Sequence, residues 1–344
     1  MGIVGKIKSF GLPRLIILTF LIILLAASNY LGISQASLWS DILVRFGMNA
    51  ILVLAMLPSI QSGIGINFNL PLGVVCGLVG ALISMQFNFQ GGFGFLVAIA
   101  VAIPLAVVAG FFYALLLNKV KGEEMTVGNY FGYSVVSFMC IIWLVAPFTH
   151  PELIWPMGGS GLRNNLAMEN SFGNVLNAFM QFKIGELVIP TGLLLFFVLC
   201  ALLVYAFEKT KLGNSMKVAG SSLQFATSNG INVDSKRILG MILSTCLAAV
   251  GIIVYSQSFG FLQLYNAPLY VAMPAAASIL IGGATLKSAK ISHVVIGTFL
   301  FQSLLVVALP VINVISAGSM AEIVRISISN GIILYALTRG GEEA

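Results

Sequence analysis

Long apolar runs alternate with short polar or glycine-rich turns from Leu15 onward, and most are long enough for a helix to cross the roughly 30 Å hydrocarbon layer of a bilayer. The pattern predicts spans at Leu15 to Leu31, Asp41 to Ser59, Leu72 to Met85, Phe95 to Leu117 and Val127 to Ala146. Five more are predicted at Glu186 to Phe207, Ile238 to Tyr255, Leu269 to Gly283, Val294 to Ile315 and Ile323 to Leu337. Backbone groups in lipid must be bonded within their own segment, so the runs are read as helices. The expected fold is all-α: a polytopic membrane protein of about ten transmembrane helices in a single domain, residues 1–344. A cleaved signal peptide is the alternative for the first run, because Ala26-Ala27-Ser28 resembles a cleavage site; its continuation through Tyr30 and Leu31 favours a retained span.

Three stretches depart from the rhythm. After the second span, Gln61 to Gly73 carries three glycines and a proline but no charge, so it is read as a broken or re-entrant segment inside the bundle. Gly73-x-x-x-Gly77 then favours close helix contact. Pro147 to Gly185 is a long external segment with Trp155, Pro156, Met157 and a Gly-Gly-Ser-Gly run, and a short helix is expected at Ser171 to Phe182. The third stretch, Glu208 to Arg237, is the one long polar interval with helix punctuation. Ser221 and Gln224 have capping-box spacing and Asn229-Gly230 supplies a left-handed stop, predicting a helix from Ser222 to Ser228 with a shorter turn at Asn214 to Ala219. Asp41 and Arg45 stand four apart and are expected to pair at the outer interface, as Glu322 and Arg325 would cap the tenth span.

Charge distribution orients the chain. Only 8% of residues are charged, 59% are apolar and the mean hydropathy is +1.03, values that exclude a water-soluble domain of this length. Lys6, Lys8, Arg14, Lys119, Lys121, Lys209, Lys211, Lys217, Lys236, Arg237, Lys287, Lys290 and Arg339 fall on one side, 13 of the 17 basic residues. That side is cytoplasmic by the positive-inside rule, with both termini, so the formal charge of +6 reflects topology rather than a nucleic-acid partner. The four cysteines lie inside apolar runs without paired spacing, and His150 and His293 lack metal-ligand spacing, so neither disulfide nor metal site is expected. There is no Gly-x-x-x-x-Gly-Lys-Ser/Thr phosphate loop and no nucleophile elbow, so the chain is not read as an enzyme. Span centres carry no carboxylate of the kind that ion-coupled carriers use.

The loop pattern Gly213, Ala219-Gly220, Ala226, Gly230-Ile231-Asn232-Val233 and Lys236 resembles the cytoplasmic loop of bacterial ABC-transporter permeases of the branched-chain amino acid and ribose-type sugar import family. The likeness runs from Gly47 to Leu337, with Asn49-Ala50, Ile281-Gly282-Gly283 and Thr285-Leu286 as further points. Gly63-Ile-Gly-Ile-Asn-Phe-Asn-Leu-Pro-Leu-Gly73 is longer than that family's glycine motif and has Asn67 in place of its acid; Lys287-Ser-Ala-Lys290 replaces a glycine-rich turn.

This resemblance implies that coupling helices seat in a groove of an ATP-binding cassette subunit, with Gly220, Ser221, Leu223, Gln224, Phe225, Ala226 and Gly230 as the coupling set. It implies that ATP and Mg are bound by that ATPase and that this chain holds no cofactor. A second permease chain, the same or related, and an extracytoplasmic solute-binding protein complete the expected assembly in the bacterial cytoplasmic (inner) membrane. The external segment serves either as a structured loop or as that protein's docking site. The expected cargo is a small polar solute, a simple sugar ahead of a nucleoside or branched-chain amino acid; the alternative class is a secondary carrier or channel without an ATPase. Gln61, Ser62, Asn67 and Asn69 are the candidate translocation residues, neutral donors and acceptors suited to an uncharged hydroxylated solute. The alternative is that they only cap broken helix ends.

Overall fold

In the computed structural model, which describes residues 12–154 and 161–315 together with 323, 326, 327, 330–334 and 338, the apolar runs are helices. In chain order they are α1 (Leu12–Tyr30), α2 (Gln35–Leu54), α3 (Met56–Gln61), α4 (Leu70–Gln86), α5 (Gly91–Lys119) and α6 (Glu124–Val145). The external segment follows with β1 (Asn165–Ala167), α7 (Val175–Ala178), β2 (Phe182–Ile184) and β3 (Leu187–Ile189). Then come α8 (Thr191–Lys209), α9 (Lys211–Ser221), α10 (Leu223–Ser228), α11 (Val233–Phe259), β4 (Phe261–Gln263), α12 (Ala267–Tyr270), α13 (Ala272–Ile281) and α14 (Ile291–Ile315). Among the described residues six helical segments are long and apolar enough to cross a membrane, and three shorter apolar ones accompany them. The fold is all-α and polytopic. The expected tenth span with Glu322 and Arg325, and Lys6, Lys8, Trp155 to Ser160 and Arg339, lie wholly or largely outside the described residues.

Helix α11 is the central post, packed against α5, α4 and α2. Small residues permit that packing. A Cβ on Gly73 would meet the Thr245 carbonyl and one on Gly77 the Ala249 carbonyl, so the expected close contact is formed between α4 and α11; one on Gly80 would meet the Ala98 carbonyl of α5. Large side chains such as Phe112 on α5, Phe138 on α6 and Leu203 on α8 point outward, as on a lipid-facing ring.

Two prolines break helices at matching places. Pro58 has no N–H for the Leu54 carbonyl, and the chain bends at Ala55 between α2 and α3; Pro274 has none for the Tyr270 carbonyl, and the bend at Val271 separates α12 from α13. The hydroxyl of Ser244 on α11 donates to the Ala55 carbonyl at 2.6 Å, bracing the first bend.

The two ends of the bundle differ. At the basic end, Arg237 pairs with Glu124 and Lys121 with Asp234, fastening the start of α11 to the α5–α6 turn. At the opposite end, β1 pairs antiparallel with β4, and the β2–β3 hairpin leans on α2 through Val188 N–H donating to Ser40 Oγ at 2.8 Å. The helix expected at Ser171 to Phe182 shrinks to α7, because Asn174 and Met180 take positive φ on either side of it. Gln257 of α11 fixes this short turn, accepting from the Leu176 and Asn174 amides.

Candidate functional site

The punctuated loop is two helices lying on the basic end. Thr210 caps α9, accepting from Gly213 N at 3.1 Å, so α9 starts before the expected Asn214. Ser222 is the extended residue between the helices, with ψ 107°, and its hydroxyl accepts from Phe225 N at 3.3 Å. This corrects the expected cap. Ser221 is the last residue of α9 and donates to the Val218 carbonyl, because an N-cap needs the extended backbone that only Ser222 has. No Ser221–Gln224 capping box forms, and Gln224 is exposed. The stop at Gly230 has φ +70°; Gly230 N donates to Thr227 O and Ile231 N to Ala226 O, the paired bonds of a Schellman ending. Ala226 is fully buried with Ala219 and Val233, while Leu223 and Phe225 are 57% and 60% exposed.

Beneath this loop lies the broken segment. Helix α3 ends at Gly63, φ +80°, with Gly63 N bonded to Ile60 O and Ile64 N to Ser59 O, and the chain turns through Gly65, φ +89°, into α4. A Cβ on Gly63 would lie 2.9 Å from Cα of Gly220, so two glycines let loop and turn meet backbone to backbone. Glu208, 8% exposed, sits beside them and accepts from Gln61 Nε2 at 2.7 Å and from Lys217 Nζ at 2.7 Å. Gln61 also donates to the Ala289 carbonyl at 3.1 Å. Ser62 is fully buried and donates to Ser59 O. Asn67 donates to Ser244 Oγ at 2.9 Å and accepts from Asn69 N at 3.0 Å, extending the brace at Ala55. The Asn69 amide is buried between Gly132 and the Tyr113 hydroxyl. The four candidate pathway residues are thus packed under the loop, with three of them bonded to protein.

A cavity of about 190 Å³ lies further along the bundle, beside the break at Val271 and Pro274. Arg45, Asn49, Leu52 and Val53 of α2, Tyr255 of α11, Gln263 and Asn266, Tyr270, Pro274 and Ser278, and Phe301, Gln302 and Leu305 of α14 line it. None of Gln61, Ser62, Asn67 or Asn69 does. Helix α2 begins at Gln35, capped by Ser34, so Asp41 and Arg45 lie inside the helix and not at its mouth; they close no ion pair. Asp41, Arg45 and Asn49 repeat every four residues and share one face. That spacing, with Pro274 inside an apolar run, was the signal in the sequence for this cleft. Among the described residues no cluster of His, Cys, Asp or Glu could hold a metal.

Proline-broken apolar helices enclosing a polar cleft, with a helical loop seated on one end, define a polytopic membrane protein with a gapped bundle. The family described as "Branched-chain amino acid transport system / permease component" matches residues 38–335, and the chain belongs to that family. It is similar to the Autoinducer 2 import system permease protein LsrC of Escherichia coli (strain SMS-3-5 / SECEC), 25% identical over 220 residues, 64% of this chain and 57% of that protein. The LsrC of Yersinia pestis (strain Pestoides F) is 24% identical over 298 residues, 83% of this chain and 75% of that one. A Tyrosine transport system permease protein of Clostridioides difficile (strain R20291) is 32% identical over 143 residues, covering 40% and 48%. The chain therefore spans about half to three quarters of the length of these relatives.

Proposed function

We propose that this chain is the membrane-spanning permease subunit of an ATP-driven importer for a small polar solute, moving its cargo by alternating access. The observation that carries the reading is the backbone contact of Gly220 with Gly63: it joins a loop bearing exposed Leu223 and Phe225 to the broken segment of the bundle. Exposed apolar side chains on a polar, basic loop suit a partner, and membership in a transport-permease family favours an ATP-binding subunit there, which would itself carry ATP and Mg. In this reading the basic end is cytoplasmic, in a bacterial inner membrane, and Gly220, Leu223, Gln224, Phe225 and Gly230 form the coupling surface, with Ala226 buried beneath them and Ser222 as the helix cap. A solute-binding protein docks on the opposite end, where β1, β4 and the β2–β3 hairpin stiffen the external segment.

The cleft is the solute path, and Gln61, Ser62, Asn67 and Asn69 form the hinge between it and the loop. Its polar face on α2 requires water or protein beside it, which favours a second permease chain across the path. A simple sugar would use the amides of Gln263, Asn266 and Gln302, while Asp41, one turn away, remains beside Arg45. Isolation of the native complex tests the assembly. An ATP-binding subunit and a mass corresponding to two permease chains are expected; a complex without an ATP-binding protein would refute the reading.

A further inference from the structure

The β2–β3 ribbon stands on the flank of the bundle, packed against α2 at the end opposite the basic loop. Its tip is level with the top of α2, where Ser34 Oγ donates to Glu186 Oε2 at 3.3 Å, and its base lies deeper, where Val188 N–H donates to Ser40 Oγ. Six residues of helix separate the two points, a descent of about 9 Å along α2. Strand pairing then sets Phe182 beside Ile189, two residues before α8 begins. The turn before β2 reaches deeper still, since the Phe179 carbonyl accepts from Gly192 N at 3.0 Å in the first turn of α8. Apolar side chains gather at that depth. Directly paired residues share a face, so Phe182, Ile184, Leu187 and Ile189 form one face of the ribbon and Lys183 with Val188 the other. Phe182 and Ile184 are exposed, as are Phe179 and Met180 in the turn. Phe179 lies over Gly192, which shares one face of α8 with the exposed Leu195, Leu199 and Leu203. Trp39, beside Ser40 in α2, is exposed at the same level, as aromatic rings at a membrane–water interface are. An apolar stripe thus runs from the lipid-facing side of α8 up onto the ribbon.

We propose that the ribbon is an interfacial anchor, with its apolar face and the Phe179–Met180 turn sunk into the headgroup and upper acyl layer of the bilayer. A lipid surface fits these side chains better than a soluble protein does: they lie below the top of α2 and continue a lipid-facing stripe, so a soluble partner would have to displace headgroups to reach them. Lys183, exposed on the other face, takes part in no ion pair among the described residues and suits the phosphate layer. The anchor ties the external segment to the membrane just ahead of α8 and leaves its β1–β4 side for a soluble partner. It is independent of the solute and of an ATP-binding subunit.

The test reconstitutes the full chain, with the subunits that copurify, in nanodiscs made with and without phospholipids brominated on the upper acyl chain. Tryptophan replaces Phe182, Phe179 or, as a reference, the exposed Glu169 beyond β1, and the emission of the native chain with its three tryptophans is subtracted. For Phe182→Trp and Phe179→Trp the expected result is loss of most of the added emission on bromination, a blue-shifted maximum and little quenching by aqueous acrylamide. Glu169→Trp is expected to behave in the opposite way. Elution as a single assembled particle shows that each variant is folded. Acrylamide quenching of Phe182→Trp and Phe179→Trp as strong as that of Glu169→Trp overturns the anchor. Protection from acrylamide without quenching by bromine means that protein covers the ribbon, and overturns it as well.

Discussion

Glu208 bonds both Lys217 of the loop and Gln61 of the broken segment, and its removal gives a sharp expectation. Glu208→Ala deletes the acceptor of two bonds, from Gln61 Nε2 and Lys217 Nζ, both 2.7 Å. Gln61 is 7% exposed and keeps its bond to Ala289, so one of its donors is left buried and unpaired, a cost of about 1–3 kcal/mol. The Lys217 side chain is 38% exposed and regains water, so that ion pair contributes about 1 kcal/mol or less. The sum, about 2 kcal/mol, shifts the balance between seated and released α9 by roughly 30-fold. Amide hydrogen exchange should therefore speed up about 30-fold in α9 while the amides of α11 around Ala248 keep their protection. Lys217→Met should cost about 1 kcal/mol, and the double variant less than the two singles added, with a coupling of about 1 kcal/mol. Unchanged exchange in α9, or strict additivity, would show that Glu208 does not hold the loop to the hinge.

Three further outcomes follow from the same contacts. Leu223→Asp should alter stability by less than about 0.5 kcal/mol, since Leu223 is 57% exposed, yet abolish solute-stimulated ATP hydrolysis; normal stimulation would remove the docking role. Gly77→Leu drives a side chain into the Ala249 carbonyl and should cost at least about 1–3 kcal/mol, read as a lower melting temperature or lost expression, whereas Gly92→Ala meets nothing within 4 Å and should be silent. Asn67→Leu should destabilise by about 1–3 kcal/mol, read as a lower melting temperature, through loss of its bonds to Ser244 and Asn69 N, while Asn69→Leu loses at most its contact with the Tyr113 hydroxyl and should cost less. Equal destabilisation by the two would contradict the hydrogen bonding described.

The sequence by itself determined the long helices, the break after Gln61 and where the loop helix α10 stops, because each depends on neighbours within a turn or two. Apolar run length decides a span, Pro58 and Pro274 decide bends, and Gly63 and Gly230 decide stops through their positive φ. Even the cap at Ser222 rather than Ser221 turned on one backbone angle that two adjacent serines leave open. Tertiary structure alone decided which polar residues meet. In a membrane bundle the hydropathy pattern reports what faces lipid, but α4 and α5 are apolar on every side, and nothing periodic in them names their neighbours. So the sequence placed Asn67 and Asn69 on a water-lined path, and packing gave Asn67 to Ser244. It placed Arg45 at an interface, and the packing of α2 against α14 put that residue and Gln302 on the lining of one cleft. The contact of Gly220 with Gly63 is likewise invisible along the chain: close approach of two backbones is fixed by the route of the whole fold, and glycine only permits it.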